Sequence, residues 1–214
     1  MSVVAPNPSI ASFGPLTTTS DIDAAVIATL RLWLPTYIGQ IEVERDIEAG
    51  TLARPTNGSY FTFLEADQFT DQALPAVLVT TSEATRLGLM ADGMYQAQWS
   101  VAVSGVVRGR VGNESRLNAS LLEASIRRCL VQQPGLGGVS DDVRWVNSQV
   151  APISEASKKG RYIAAGSGKY QVFTSDAVQR GYGPLTPNAA PYQAPAPVSD
   201  FDLSVSPKPA PQEA

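Results

Sequence analysis

Residues 94–110, MYQAQWSVAVSGVVRGR, alternate so regularly that they admit only one backbone period. Tyr95, Ala97, Trp99, Val101, Val103, Gly105 and Val107 fall on one side, while Gln96, Gln98, Ser100, Ser104 and Arg108 fall on the other, which is the two-residue period of a strand. Ordinary strands run to about five or six residues, and this pattern holds for roughly twice that. A strand this long with one apolar side requires a layer of other elements to cover it. Its second side is polar yet barely charged, and what that side looks at is the question the chain poses.

Two helical patterns supply the covering layer. Ser20 with Asp23 makes a capping-box-like start, and Ile22, Val26, Leu30, Trp33 and Tyr37 then recur at spacings of three and four. Pro35 is expected to kink or end this helix near Leu34. A second helix spans 113–132. Ala119, Leu122, Ile126, Cys129 and Leu130 form one face, and Leu117, Leu121, Ala124 and Val131 form another on the opposite side. Arg116, Glu123 and Arg127 lie between the two, and Arg128 projects from the second. A sheet covers only one face of a helix, so the second face is expected to meet either another core layer or, the favoured reading, a neighbouring subunit.

Strand patterns complete the order. "SYFTF" at 59–63 is a candidate short strand, and 73–81 reads as a buried strand introduced by Pro75. Residues 142–150 and 161–175 read as two more, the latter bent at Gly166 and Gly168. Residues 41–58 read as charged and irregular. The order α-β-β-α-β-β predicts an α+β fold, an antiparallel sheet with two helices packed on one face. Flanking it are an extended N-terminal arm, 1–19, and a Pro-rich C-terminal arm, 183–214, around a domain at 20–182. That last arm reads either as a disordered tail or as an extended segment docking on another subunit, with Tyr192, Phe201 and Leu203 as anchors.

Composition narrows the function. The chain has no His, so Ser-His-Asp, Cys-His and most zinc constellations are excluded. The alternating acids Glu42, Glu44, Asp46 and Glu48 read as a solvated edge, and Cys129, the one cysteine, lies within a helical pattern, which disfavours a reactive thiol and excludes an internal disulfide. "GSGKY" at 166–170 lacks the first glycine of a phosphate loop, and "PGLGG" at 134–138 ends a helix where a dinucleotide turn would open one. A net charge of −4 argues against gripping nucleic acid through its phosphates. No apolar run reaches membrane-spanning length, and no secretory signal opens the chain, which implies synthesis in the cytosol. No catalytic, metal or cofactor-binding residues stand out.

The element order, the helix ending "LRLWLPTYIGQIE", the "DQFTDQALPAVLV" strand entry and the late "RYIAAGSGKYQVFTSDAVQ" together resemble the tail terminator proteins of long-tailed, siphovirus-type bacteriophages, especially those of actinobacteria. The resemblance spans about residues 20–180. It implies a hexameric ring at the head-proximal end of the tail tube, ending polymerisation of the major tail tube protein and presenting a surface to the head-side connector or stopper protein. It also implies no catalytic residues and no cofactors, a location at the head-tail junction of the virion, and host cytoplasm during assembly. In such a ring Gln96, Gln98, Ser100 and Ser104 face the lumen or a partner, and DNA passes through without specific binding. Leu117, Leu121, Ala124 and Val131 would face a neighbouring subunit. Another head-to-tail connector, a tail-tube subunit, a small-molecule-binding α+β module and, last, a carboxylate or Tyr enzyme are the alternatives.

Overall fold

The computed structural model describes residues 16–62, 73–91, 93–153 and 162–179, all within one compact unit. The first helix, α1, spans Thr19–Glu44. Its cap is Thr18, whose side chain accepts from the Asp21 N–H while the Asp21 carboxylate accepts from the Thr18 N–H at 2.8 Å. The helix therefore starts two residues earlier than the Ser20/Asp23 pair suggests. Asp23 turns inward instead and accepts the Thr81 hydroxyl at 2.7 Å. Both T-x-x-D and S-x-x-D satisfy the capping pattern, and the buried side of the helix decides between them by claiming Asp23.

The expected stripe holds at Ile22, Val26, Leu30 and Tyr37, but Trp33 is 40% exposed and Leu34 occupies the core. Nor does Pro35 end the helix, which runs on to Glu44. A proline inside a helix costs about 3 kcal/mol. Leu34, Ile38 and Ile41 are all buried around it, and each contributes roughly 1.5–3 kcal/mol on burial, so packing outweighs the lost hydrogen bond.

Five strands follow: β1 Tyr60–Thr62, β2 Ala76–Leu89, β3 Met94–Gly109, β4 Asp142–Pro152 and β5 Tyr162–Gln179. The second helix, α2, spans Gly112–Gln132 between β3 and β4. Sheet order is β1-β2-β3-β5-β4, which puts the long alternating strand at the centre. Every pairing is antiparallel except the first. The short β1 runs parallel to β2, a departure from the all-antiparallel expectation. Parallel neighbours need a crossover of about a dozen residues or more, and residues 63–75 supply that length.

Both helices pack on one face of the sheet, α1 over β2 and α2 over β3, β5 and β4, with the helices also touching each other. Glycines set how closely α2 sits. Gly105 pairs with Gly166 in register. A Cβ on Gly105 would lie 2.8 Å from the Leu122 side chain, and one on Gly166 would collide with the Ala119 carbonyl oxygen. Gly166 and Gly168, expected to bend the strand, lie within the single continuous β5, and Gly168 leaves room for the Tyr170 ring.

Buried carboxylates belong to this architecture, and among the described residues Glu42 is the deepest. Glu42, read as part of a solvated acidic edge, is 1% exposed. It accepts the backbone N–H groups of Gly50 at 3.0 Å and Leu52 at 2.9 Å, and it pairs with Arg54 at 2.5 Å. Burial pushes its carboxyl up, but those N–H donors and the guanidinium outweigh burial and hold it below the usual carboxylate range. Glu42 thereby ties the segment after α1 to the helix.

Candidate assembly surfaces

The two sides of β3 behave as their alternation requires. Ala97, Trp99, Val101, Val103 and Val107 are buried under the helices. Gln96, Gln98, Ser100 and Ser104 are half-buried on the face that no described helix covers, and Arg108 is exposed. There Ser104 shares a 2.8 Å hydrogen bond with Ser167 of β5, and Gln98 lies beside Phe173 in register.

The whole face is less neutral than its central strand. Lys169 stands opposite Ala102, and Glu83 stands opposite Ser100. Arg144 of β4 lies over the Phe173 ring at 4.6 Å and pairs with Asp142 at 2.8 Å. One end of this face is apolar: Val106 and Ile163 are buried there against Leu74, Leu78, Ile153 and Ala165. Sequence reasoning missed this small cluster. Its signal was available in Val106, an apolar residue in the polar register.

The second face of α2 is partly corrected. Leu117 is 59% exposed, and Val131, which lines the groove described next, is 45% exposed. Leu121, however, is only 9% exposed and belongs to the chain's own core, and Ala124 packs against that core. Both lie at the bottom of a groove of about 660 Å3 bounded by the end of α1, by α2 and by β4. The reason is lateral: α1 and β4 flank α2, so this side of the helix is walled rather than open. Arg45, Arg127 and Arg128 line the groove with Glu44, which Arg128 grips through two hydrogen bonds of 2.6 and 2.8 Å. Arg127 lies over the Trp145 ring at 4.8 Å. Of the strip residues between the two faces, Glu123 is buried and accepts the Ser148 hydroxyl.

Other apolar side chains face outward. Leu32 and Trp33 are exposed on α1, and Leu87, Leu89 and Met90 near the β2–β3 turn. Among the described residues no group of His, Cys, Asp or Glu is arranged to hold a metal ion, and no helix is long and apolar enough to cross a membrane. Burial pushes the Cys129 thiol up to about 12, and it pushes the Tyr60 phenol up to about 12 as well. Both therefore stay protonated near neutral pH. Tyr192, Phe201 and Leu203, the expected docking anchors, lie outside the described residues, as do most of both expected arms. Leu16 and Thr17, at the inner end of the first arm, attach to the end of β5 through a bridge to Val178 and a 2.9 Å hydrogen bond to the Ala177 carbonyl.

No protein-family model matches the chain, and no curated protein matches it. Among solved structures, it is similar to a chain of the virion of a native gene transfer agent particle. The TM-score is 0.41 at 10% sequence identity, and the match covers 78% of this chain and 98% of that one.

Proposed function

We propose that this chain is a structural subunit of a phage-like virion, and within it a tail terminator. It forms a ring, expected to be hexameric, at the head-proximal end of the tail tube, where it stops polymerisation of the major tail tube protein and meets the head-side connector or stopper. Assembly, not catalysis, is its role, in the host cytoplasm first and at the head-tail junction afterwards. The observation that carries this reading is the sheet's two-sidedness. One face is sealed by the chain's own helices, while the other offers a row of uncharged polar groups on β3 that no described helix covers. A ring needs such a face, either against a partner or along a lumen, and DNA slides best past groups that do not hold phosphate. Outward-facing apolar side chains on α1, on α2 and near the β2–β3 turn support several contacts per subunit.

The test combines native mass spectrometry and negative-stain imaging of the purified protein with tail-length measurement in particles assembled without it. Rings of a single size, and overlong tails in their absence, are the expected results. A strictly monomeric protein at high concentration overturns the ring. Rings together with tails of normal length would move the assignment to another head-to-tail connector.

A further inference from the structure

We infer that the groove between α1, α2 and β4 receives residues 200–203, Asp-Phe-Asp-Leu, from the C-terminal segment of a neighbouring copy of this chain. The inference rests on the self-assembly proposed above and names the contact that would join subunits. The groove is apolar at the bottom and basic at the rim: Leu121 and Ala124 lie below, and Arg45, Arg127 and Arg128 line it against the single carboxylate of Glu44. That is a local surplus of positive charge in a chain whose net charge is −4. Glu44 already occupies Arg128, Arg127 pairs with the buried Glu123 at 3.8 Å and Arg144, which also lines the groove, pairs with Asp142 at 2.8 Å, so Arg45, which makes no ion pair among the described residues, is the rim cation left for an incoming carboxylate.

The segment 200–203 has the complementary pattern. In an extended chain successive side chains point to opposite sides, so Phe201 and Leu203 would share one side and Asp200 and Asp202 the other. The apolar pair then reaches the groove bottom while the carboxylates meet the guanidinium rim, where charge-assisted hydrogen bonds are strongest. Nucleic acid fits less well, because phosphates would use the rim and leave the apolar bottom unfilled. Length permits the crossing. Between Gln179, the last described residue, and Asp200 lie 20 residues, which extended span about 70 Å, enough to reach an adjacent subunit. Pro184, Pro187, Pro191, Pro195 and Pro197 fall within that stretch and stiffen it, lowering the entropy lost when it docks.

The experiment uses the full chain. A benzoylphenylalanine photo-cross-linker replaces Phe201 in unlabelled protein, which is assembled with an equal amount of 15N-labelled parent lacking the cross-linker. After irradiation, cross-links from the unlabelled tail to 15N-labelled peptides of α2 or β4 are expected. Asp200→Lys with Asp202→Lys should reduce them about tenfold, as should Arg128→Glu, through like-charge contact, and combining the changes should restore them. Arg128 lies outside the hydrophobic core, and circular dichroism of each variant checks that the fold is retained. Native mass of the same samples separates the two readings. Assembly without groove cross-links overturns this inference and leaves the proposed function standing, whereas no assembly overturns both. Cross-links confined to unlabelled peptides would mean that each chain fills its own groove, and salt-sensitive retention of duplex DNA, lost in Arg128→Glu, would assign the rim to phosphate. Each of those results overturns docking between copies.

Discussion

The helix-covered and open faces of β3 are made by one stretch of chain, yet they are completed by different things. Under the helices Val101 and Val103 keep 2% and 0% of their surface, sealed by side chains of the same chain. Across the strand Gln98 and Ser100 remain half-buried, with no described helix over them. The first face is finished by folding, the second by whatever the folded chain meets. α2 repeats the contrast, with Ile126 at 1% exposure on its inner side and Leu117 at 59% on its outer side. Leu121 sits at the boundary, assigned by helical period to the outside and drawn by its flanking elements to the inside.

The sharpest break of this contrast is on the folded side. Ile126→Asp places an unpaired carboxylate against the sheet, and Gly166→Val drives a side chain into the Ala119 carbonyl. Each should cost more than about 4 kcal/mol and leave little folded protein in urea titrations. Near-parental stability of either would show that α2 does not lie on the sheet. Next comes the boundary. Leu121→Ala should lose roughly 2–4 kcal/mol, whereas Leu117→Asp should stay within about 0.5 kcal/mol of the parent and affect assembly instead. Equal losses in unfolding would remove the distinction between groove bottom and outer surface.

Glu42 gives a smaller effect with a pH signature. Its folded pKa lies below its unfolded value, so the carboxylate stabilises the fold above the unfolded value and that contribution disappears as pH falls through the lower one. Glu42→Gln should therefore cost roughly 1–3 kcal/mol at neutral pH, and the gap to the parent should close in acid. A gap independent of pH would mean that shape, not charge, holds Gly50 and Leu52. Asp23 runs the other way, since burial raises its pKa against the Thr81 hydrogen bond, so its protonation favours the fold as pH falls.

The smallest effect on stability belongs to the open face. Gln98→Lys with Ser100→Lys should unfold within about 0.5 kcal/mol of the parent, because both side chains lie on the open face and the long Lys chains can carry their charge out to solvent. In assembled particles, however, ring symmetry repeats the added cations into a belt, and DNA ejection should slow at low salt and recover at high salt. Ejection unchanged at low salt would assign this face to a contact between subunits.

Much of the fold was legible because strict periods leave little freedom. The alternation in β3 from Ala97 to Val103 and the inner stripe of α2 match the structure, since a one-residue slip would turn Val101 and Val103 to the wrong side. Local signals were weaker where two solutions met the same rule. Thr18 and Ser20 both start a capping pattern, Trp33 and Leu34 both continue the α1 stripe, and Pro35 breaks a helix only when nothing packs beyond it. Glu42 was misread because alternation with Val43 and Arg45 imitates a solvated edge, while its partners Gly50, Leu52 and Arg54 come from a turn whose path no period announces.

What the sequence by itself determined is therefore the set of elements, their order and the side of each that seeks apolar surroundings, because backbone geometry ties those to spacing along the chain. Only the tertiary structure decided which outward residues are walled by their neighbours. Leu121 and Ala124 became the bottom of a basic-rimmed groove, and Leu117 stayed bare, because α1 and β4 stand beside one part of α2 and not the other. Lateral placement of that kind depends on contacts between segments far apart in sequence, such as Arg128 with Glu44 and Gly105 with Gly166, and no repeat along a single helix or strand encodes it.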